Sequence, residues 1–449
     1  MRIFRIDPKT CPTPGTVPPD SWDLTPTILS GCPLIPDFAV EADRLRKSAA
    51  FLGEISVLDI VDFFDFASRR SVTAMGPGEA IFPGISYLVP FLSKPNLFRL
   101  LKAALHGDSR YLDGFAPMDS LGKRMKAQPR GFVTHWLAGN IPSLGMISLV
   151  QGVLTKNANV VKLPRRNGLF LPEFFARIAD IDLPLEGGRT ISGKTIAASV
   201  AFVYCEPKDY DSQRALSLES DVRLVWGGAE AVNSVLGLPK KPGAEDILFG
   251  PRSSLAAIGR EALSSGAVEK LAEKLAFDAS AFDQHGCNSP HTVFVERGAA
   301  VTPHDFARVL AGAMEKTLKR IPKEQAGAAE AYAVAAVRAE YSVAGEVFAS
   351  PGTEWTVVYS EEKGLARPCG SRVVFIRPVD AIKEVIEWLS PEIQTVGLAL
   401  DEPRRIEFAL AAARQGISRI TPIGTMSRYD YPWDGIFPME RFIRWVSLE

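Results

Sequence analysis

A single cysteine in a polar turn is the residue with the most chemical promise. The stretch Ala279–Glu296 reads ASAFDQHGCNSPHTVFVE. The pattern predicts a helix over residues 268–281, a polar turn carrying Cys287, and a strand over residues 292–296. A thiol on such a turn, among small and polar neighbours, is placed to act as a nucleophile. The plain alternative is an inert, half-buried free cysteine, the common fate of this residue type. His285 and His291 stand near it in sequence as candidate proton partners, and spacing alone assigns neither of them a catalytic role.

Three other stretches carry chemistry. In His135-Trp-Leu-Ala-Gly-Asn-Ile-Pro142 a strand ends, a Gly-Asn pair turns and a helix begins. Asn140 then lies at the carboxyl edge of a sheet, where its amide can donate to an oxyanion; the competing reading is a simple helix cap. In Val160-Val-Lys-Leu-Pro-Arg-Arg166 a strand exits with Lys162, followed by Arg165 and Arg166. Cations there suit phosphate or ribose recognition, and a solvated basic edge is the alternative. In Leu224-Val-Trp-Gly-Gly-Ala-Glu-Ala231 the pair Gly227-Gly228 separates a strand from a helix. Backbone N–H groups and a helix N-terminus can meet a phosphate there, although the segment lacks the GxGxxG spacing and also reads as an ordinary connection.

The elements that must position these residues alternate. Strands are predicted at residues 132–137, 159–163, 196–204 and 222–226, and helices at 143–154, 169–179, 208–218 and 229–236. This is the pattern of parallel βαβ units in a doubly wound α/β sheet, whose ligands bind beyond the carboxyl ends of the strands. A second α/β block begins near Asp246. It has strands at 255–258, 292–296, 355–359, 372–376 and 395–400, and helices at 261–279, 305–318, 323–340, 381–389 and 404–415. Turns are read at Gly76-Pro77-Gly78 and Phe82-Pro83-Gly84, and helices at 40–52, 58–67 and 96–105.

Bulk properties exclude several function classes. With 449 residues the chain has room for two or three domains, and 46% hydrophobic with 23% charged residues is ordinary for a globular protein. A net charge of −1 gives no global field toward nucleic acid or anionic membrane. Cys11, Cys32, Cys205, Cys287 and Cys369 are widely spaced, which argues against a disulfide framework and a zinc site and for a reducing, cytoplasmic setting. The opening MRIFRIDPKTCPTPG lacks the apolar stretch of a signal peptide. Residues 131–155 carry no charge, but Asn140, Pro142, Ser143, Ser148 and Gln151 interrupt them, so a buried strand, turn and helix are expected in place of a membrane span.

Taken together, LAGNIPSLGMISLVQGVLTKNANVVKLP, LVWGGAEAV, FDQHGCNSPHTVFVE, SPEIQTVGLAL and the late WDG resemble the aldehyde dehydrogenase superfamily, and within it the LuxC-type fatty acyl-CoA reductases. The resemblance runs from about Pro129 to the C-terminus. It implies a Rossmann-like nucleotide-binding lobe, an α/β catalytic lobe and a small oligomerisation element. The corresponding divisions are an N-terminal wrapping region (1–110), an NADP-binding domain (111–250), a catalytic cysteine domain (251–425) and a tail (426–449) that packs back or meets another subunit. By position, the resemblance makes Cys287 the nucleophile and Asn140 the oxyanion donor, acting with the Cys287 backbone N–H. It puts Lys162 on the adenine ribose and Gly227 and Gly228 at the pyrophosphate.

Two departures from aldehyde-oxidising relatives are informative. The segment that carries a water-activating glutamate in those enzymes reads Leu248-Phe-Gly-Pro251 here, and leucine is no base. Arg165 stands where NAD-preferring relatives often have glutamate, which favours NADPH over NADH. Residues 367–371 lack the acidic residue that holds the nicotinamide ribose in many relatives. The implied activity is reduction of an acyl-CoA, or of a carrier-bound acyl group, to an aldehyde through a cysteine thioester. An acyl-activating ligase is the implied partner, and a homo-oligomer the implied assembly. The rival expectations are an NAD(P)-dependent aldehyde dehydrogenase and a catalytically silent nucleotide-binding protein.

Overall fold

The structure, a computed structural model, describes residues 1–4, 23–73, 85–263, 266–323 and 326–449. The turns read at 76–78 and 82–84 lie outside the described residues. The chain forms two compact units, Met1–Gly250 with Ile436–Glu449, and Pro251–Gly435. Residues 426–435, placed in the tail by sequence, thus cluster with the second unit.

The first unit is built on a six-stranded sheet. Its strands are β1 (Arg2–Phe4), β2 (Phe132–Trp136), β3 (Ala158–Lys162), β4 (Val200–Tyr204), β5 (Val222–Trp226) and β6 (Glu245–Phe249), in the spatial order β1-β4-β3-β2-β5-β6. All neighbours are parallel except β1 and β4. Strands β2, β4 and β5 are buried along their whole length and are mostly apolar, with Thr134, His135 and Arg223 as the buried polar exceptions. The chain builds outward from β2 through β3 to β4, then returns to the other side of β2 with β5. The order therefore reverses between β2 and β5, the topological switch point of an open α/β sheet.

Helix α1 (Leu144–Leu154) follows β2 and is almost wholly buried. It packs close because residue 152 is glycine: a Cβ there would come within 2.0 Å of Asn159 Oδ1. The charge-free stretch is thus a strand, a turn and a buried helix. No described helix is long and apolar enough to cross a membrane.

A three-stranded sheet joins Ala116–Met118, Lys123–Pro129 and Ile443–Leu448, so the tail adds a strand to the first unit. The strand expected over 196–204 is two elements, a helix at Gly193–Ala198 and then β4. The apolar residues Ile196 and Ala197 are buried in the helix as the strand residues after them are, so hydrophobicity alone did not mark the break.

The second unit holds a seven-stranded sheet. Its strands are β7 (Ser253–Ile258), β8 (Pro290–Glu296), β9 (Glu346–Ala349), β10 (Thr356–Tyr359), β11 (Val373–Val379), β12 (Ile393–Ala399) and β13 (Arg419–Pro422), in the order β9-β10-β11-β8-β7-β12-β13. Only β9 runs antiparallel to its neighbour. Helices α2 (Val268–Ser280) and α3 (Pro303–Arg320) cover one face through Leu275, Phe306, Leu310 and Met314. Residues 260–263 form a 3-10 turn ahead of α2, so the helix read over 261–279 is shorter than expected. The segment read as a helix at 381–389 is 3-10, and the helix read from Lys323 begins at Ala328.

Candidate functional site

Each unit carries its own set of candidate residues. In the first unit they gather at the carboxyl edge of the sheet. Asn140 lies in the loop between β2 and α1, and it is exposed. It is not the cap of α1: Ser143 holds that position, without a capping side-chain bond. The loop is tied to the next one, since Asn167 Nδ2 donates to the Gly139 carbonyl at 2.8 Å and Leu137 N to the Lys162 carbonyl at 3.3 Å.

Lys162 ends β3 and is half-buried. Among the described residues its ammonium has no hydrogen-bond or ion-pair partner. Burial pushes its pKa down, while Cys205 and Glu206 at the end of β4 act in the opposite direction. Arg165 and Arg166 project from the following loop and are exposed. Gly227 and Gly228 connect β5 to α4 (Ala229–Leu236). A Cβ on Gly227 would approach Ala231 Cβ to 2.9 Å, whereas Gly228, at the cap, faces open space. An open-faced helix start at the switch point suits a phosphate, although Glu230 puts a negative charge in the first turn. Leu248 sits within β6 and packs on the core of this unit.

The second unit holds Cys287 at the amino edge of its sheet, just before β8. The thiol sits at the entry of a strand, in the turn between helix and strand that the sequence pattern expects. The turn ahead of it is unusual: Phe282, Asp283 and Gln284 all have left-handed backbone, with φ of 51°, 51° and 65°. Non-glycine residues hold such conformations only when their surroundings over-determine them. Here Arg372 Nε donates to Asp283 Oδ1 at 2.7 Å. The Gln284 amide donates to the Pro290 and Val373 carbonyls at 2.8 and 2.9 Å and accepts from Val373 N at 2.8 Å.

The cysteine itself is clamped through its backbone. Ser254 Oγ donates to the Cys287 carbonyl at 2.7 Å and accepts from Thr395 N at 3.0 Å, which joins the cysteine turn to β7 and β12. Asn288 Nδ2 donates to the Met426 carbonyl at 2.9 Å. The Cys287 residue keeps part of its surface accessible. Its packing is nonetheless dense enough to push the thiol up to about 12, mainly through burial and then through Asp434. Its own backbone N–H, Arg252 and Arg419 pull the other way.

Sequence reasoning missed Arg252, Gln394, Arg419 and Asp434, which surround Cys287 or its neighbours. Two of them sit inside quoted motifs, Gln394 in SPEIQTVGLAL and Asp434 in WDG. The histidines have other surroundings: His285 Nε2 is 3.8 Å from Glu330, and His291 is buried in β8 with its pKa down at about 4, through burial and then His285. A cleft of about 580 Å³ lies at the opposite, carboxyl edge of this sheet, lined by Arg260, Glu296 and Arg404. Burial would raise the Glu296 carboxyl, but Arg260 and Arg404 outweigh it and hold it at about 2. That cluster is a satisfied ion-pair network away from the cysteine.

The two α/β units, one with a switch-point edge and one with a clamped cysteine, have the fold of the aldehyde dehydrogenases. An indole-3-acetaldehyde dehydrogenase from P. syringae, solved with NAD+ and IAA, superposes with a TM-score of 0.63 at 12% identity, covering 100% of this chain and 96% of that one. A profile of the acyl-CoA reductase (LuxC) family matches residues 75–445, and the chain belongs to that family. A long-chain acyl-protein thioester reductase of Aliivibrio fischeri is 28% identical over 365 residues, 80% of this chain and 71% of that protein. Its counterpart from Vibrio harveyi is 24% identical over 423 residues, 89% of this chain and 84% of that protein.

Proposed function

We propose that the protein reduces an acyl thioester to an aldehyde, with Cys287 carrying the acyl group. The observation that supports this best is the Cys287 turn: a partly accessible cysteine whose carbonyl is held by Ser254 and whose own backbone N–H favours the thiolate. Cys287 attacks the carbonyl carbon of an acyl-CoA or of an acyl group on a partner protein, and the donor thiol leaves. The Cys287 backbone N–H is assigned to the oxyanion. Leu248, an apolar residue packed in β6, leaves no water-activating carboxylate at its position, so the acyl-enzyme persists until it is reduced.

The first unit is proposed to hold a reduced nicotinamide dinucleotide, which when bound supplies the hydride. Lys162, with an unpartnered ammonium at the end of β3, binds the adenine ribose. Gly227 and Gly228 let the pyrophosphate approach the start of α4. Arg165 favours NADPH through a 2′-phosphate. Glu206 favours NADH, since it acts on Lys162 from the neighbouring strand end and would repel that phosphate. The long-chain acyl-protein thioester named for the relatives is carried over as the substrate class, with an acyl-activating ligase as the donor partner and a homo-oligomer as the assembly.

The test is NADPH oxidation with acyl-CoAs from short to long chain, with NADH and Cys287→Ala in parallel. Thioester-dependent oxidation that yields trapped aldehyde and vanishes in Cys287→Ala supports the reading. Full activity in Cys287→Ala refutes it.

A further inference from the structure

The Cys287 site contains an acid that the proposed reaction leaves without a task. Asp434 lies in the Trp433-Asp434-Gly435 turn with φ of 49°, a conformation Asp adopts more readily than most residues. Its side chain is 6% exposed, and Oδ2 lies 3.3 Å from Arg252 Nε. Oδ1 is buried and accepts no hydrogen bond among the described residues. The Gln394 amide stands within reach of the carboxyl and lowers its pKa by hydrogen-bonding attraction, yet its Nε2 meets no acceptor in full hydrogen-bond geometry. An open carboxylate oxygen in a buried site is costly, and the charge of this one acts on the Cys287 thiol.

We infer that Asp434 is the group that takes the proton of the Cys287 thiol and returns it to the leaving thiol during acyl transfer. This rests on the thioester reading above and deepens it. The charged groups acting on Cys287 are Asp434, Arg252 and Arg419, and only the first can accept a proton. Arg419 is committed to the carbonyls of Thr425, Met426 and Arg428, and Arg252 to that of Pro391. Because burial and Asp434 keep the thiol protonated at neutral pH, attack requires a base. Burial also raises the Asp434 carboxyl, against Arg252 and Gln394, which makes it a stronger base than a free aspartate.

The step balances without a redox change. The Asp434 carboxylate removes the S–H proton, the Cys287 sulfur bonds to the acyl carbonyl carbon, and the bond from that carbon to the donor sulfur breaks. The proton on Asp434 then passes to the departing thiolate, which leaves as a thiol with the carboxylate restored. No nicotinamide takes part, so this half-reaction can be measured alone.

The test is single-turnover acylation of the full chain by radiolabelled palmitoyl-CoA with no nicotinamide present, alongside iodoacetamide alkylation, in wild type, Asp434→Asn, Asp434→Glu and Cys287→Ala. Asp434→Asn keeps the shape and removes the base. Its acylation rate should fall by about 10²- to 10⁴-fold, while alkylation at the same pH should hold or rise, because loss of the negative charge favours the thiolate. Asp434→Glu should restore part of the acylation rate. Acylation of Asp434→Asn within about threefold of wild type would overturn the inference. So would equal loss of acylation and alkylation with a lowered melting temperature and no rescue by Asp434→Glu, which would mark a structural role. Absence of labelling in wild type, indistinguishable from Cys287→Ala, would overturn the thioester reading itself and the inference with it.

Discussion

Arg372 and Asp283 form a buried ion pair, Nε to Oδ1 at 2.7 Å, with the arginine side chain 1% exposed. The pair joins the start of β11 to the left-handed turn that delivers Cys287. Arg372 also donates to the carbonyls of Ile321 and Pro322, at 2.9 and 3.2 Å. Removing one partner strands the other charge, which costs about 3–5 kcal/mol. Asp283→Ala should therefore lower the urea midpoint and also speed iodoacetamide labelling of Cys287 as the turn loosens. An unchanged midpoint and labelling rate would show that the pair does not hold the turn.

Cys287 should behave as a high-pKa thiol. With the group pushed up to about 12 by burial and then Asp434, the thiolate fraction at neutral pH is small. Alkylation of the free protein should climb about tenfold per pH unit from neutral pH upward, with no plateau near the ordinary thiol value. A plateau beginning near pH 9 would contradict the geometry around the sulfur.

Cofactor choice should respond to two charges of opposite sign near Lys162. Lys162→Ala removes a charged donor and should raise the apparent KM for either cofactor by about ten- to a hundredfold. Arg165→Glu should move the NADPH-to-NADH preference toward NADH by about tenfold or more, and Glu206→Gln should move it toward NADPH. Ratios of kcat/KM for the two cofactors check both shifts. Unchanged ratios would remove Arg165 and Glu206 from the ribose site.

Much of this was legible locally. From Phe132 to Leu236 the buried strands are short, mostly apolar runs between helices, so period and length sufficed, apart from the end of the Gly193–Ala198 helix hidden inside one such run. Strand Lys123–Pro129 was not legible. It is largely polar, and it is a strand because Ile443–Leu448 pairs with it from the far end of the chain. The site divides in the same way. Cys287, Asn140, Lys162 and the Gly227-Gly228 pair are candidates that the sequence offers by their position at strand ends and turns. Arg252, Arg419 and Asp434 act on the cysteine from the amino ends of β7 and β13 and from a late turn, with Gln394 of β12 beside Asp434, and no local spacing encodes that convergence.

Stability should fall as pH rises through the weakly acidic range, with Asp278 as one source. This α2 carboxylate accepts from Met426 N at 3.1 Å and from Gly424 N, fixing the loop beneath the site. Burial outweighs those backbone bonds and raises its pKa from 3.8 to about 6. The folded state therefore binds the proton more tightly than the unfolded one. That contribution is complete below about pH 4 and is lost as pH rises through about 6, by roughly 3 kcal/mol at ~1.4 kcal/mol per unit. Urea melts of wild type and Asp278→Asn across this window check it. The difference between the two proteins should change with pH in that direction, and a constant difference would rule it out.

The most direct measurement of the central claim is mass spectrometry of the intact protein after exposure to a long-chain acyl-CoA with no nicotinamide present, followed by peptide mapping and an NADPH chase. The structure leads us to expect one acyl group on Cys287 that persists in water and is released as aldehyde when NADPH is added. An acyl group on another residue, or one released as free acid before the chase, would contradict it.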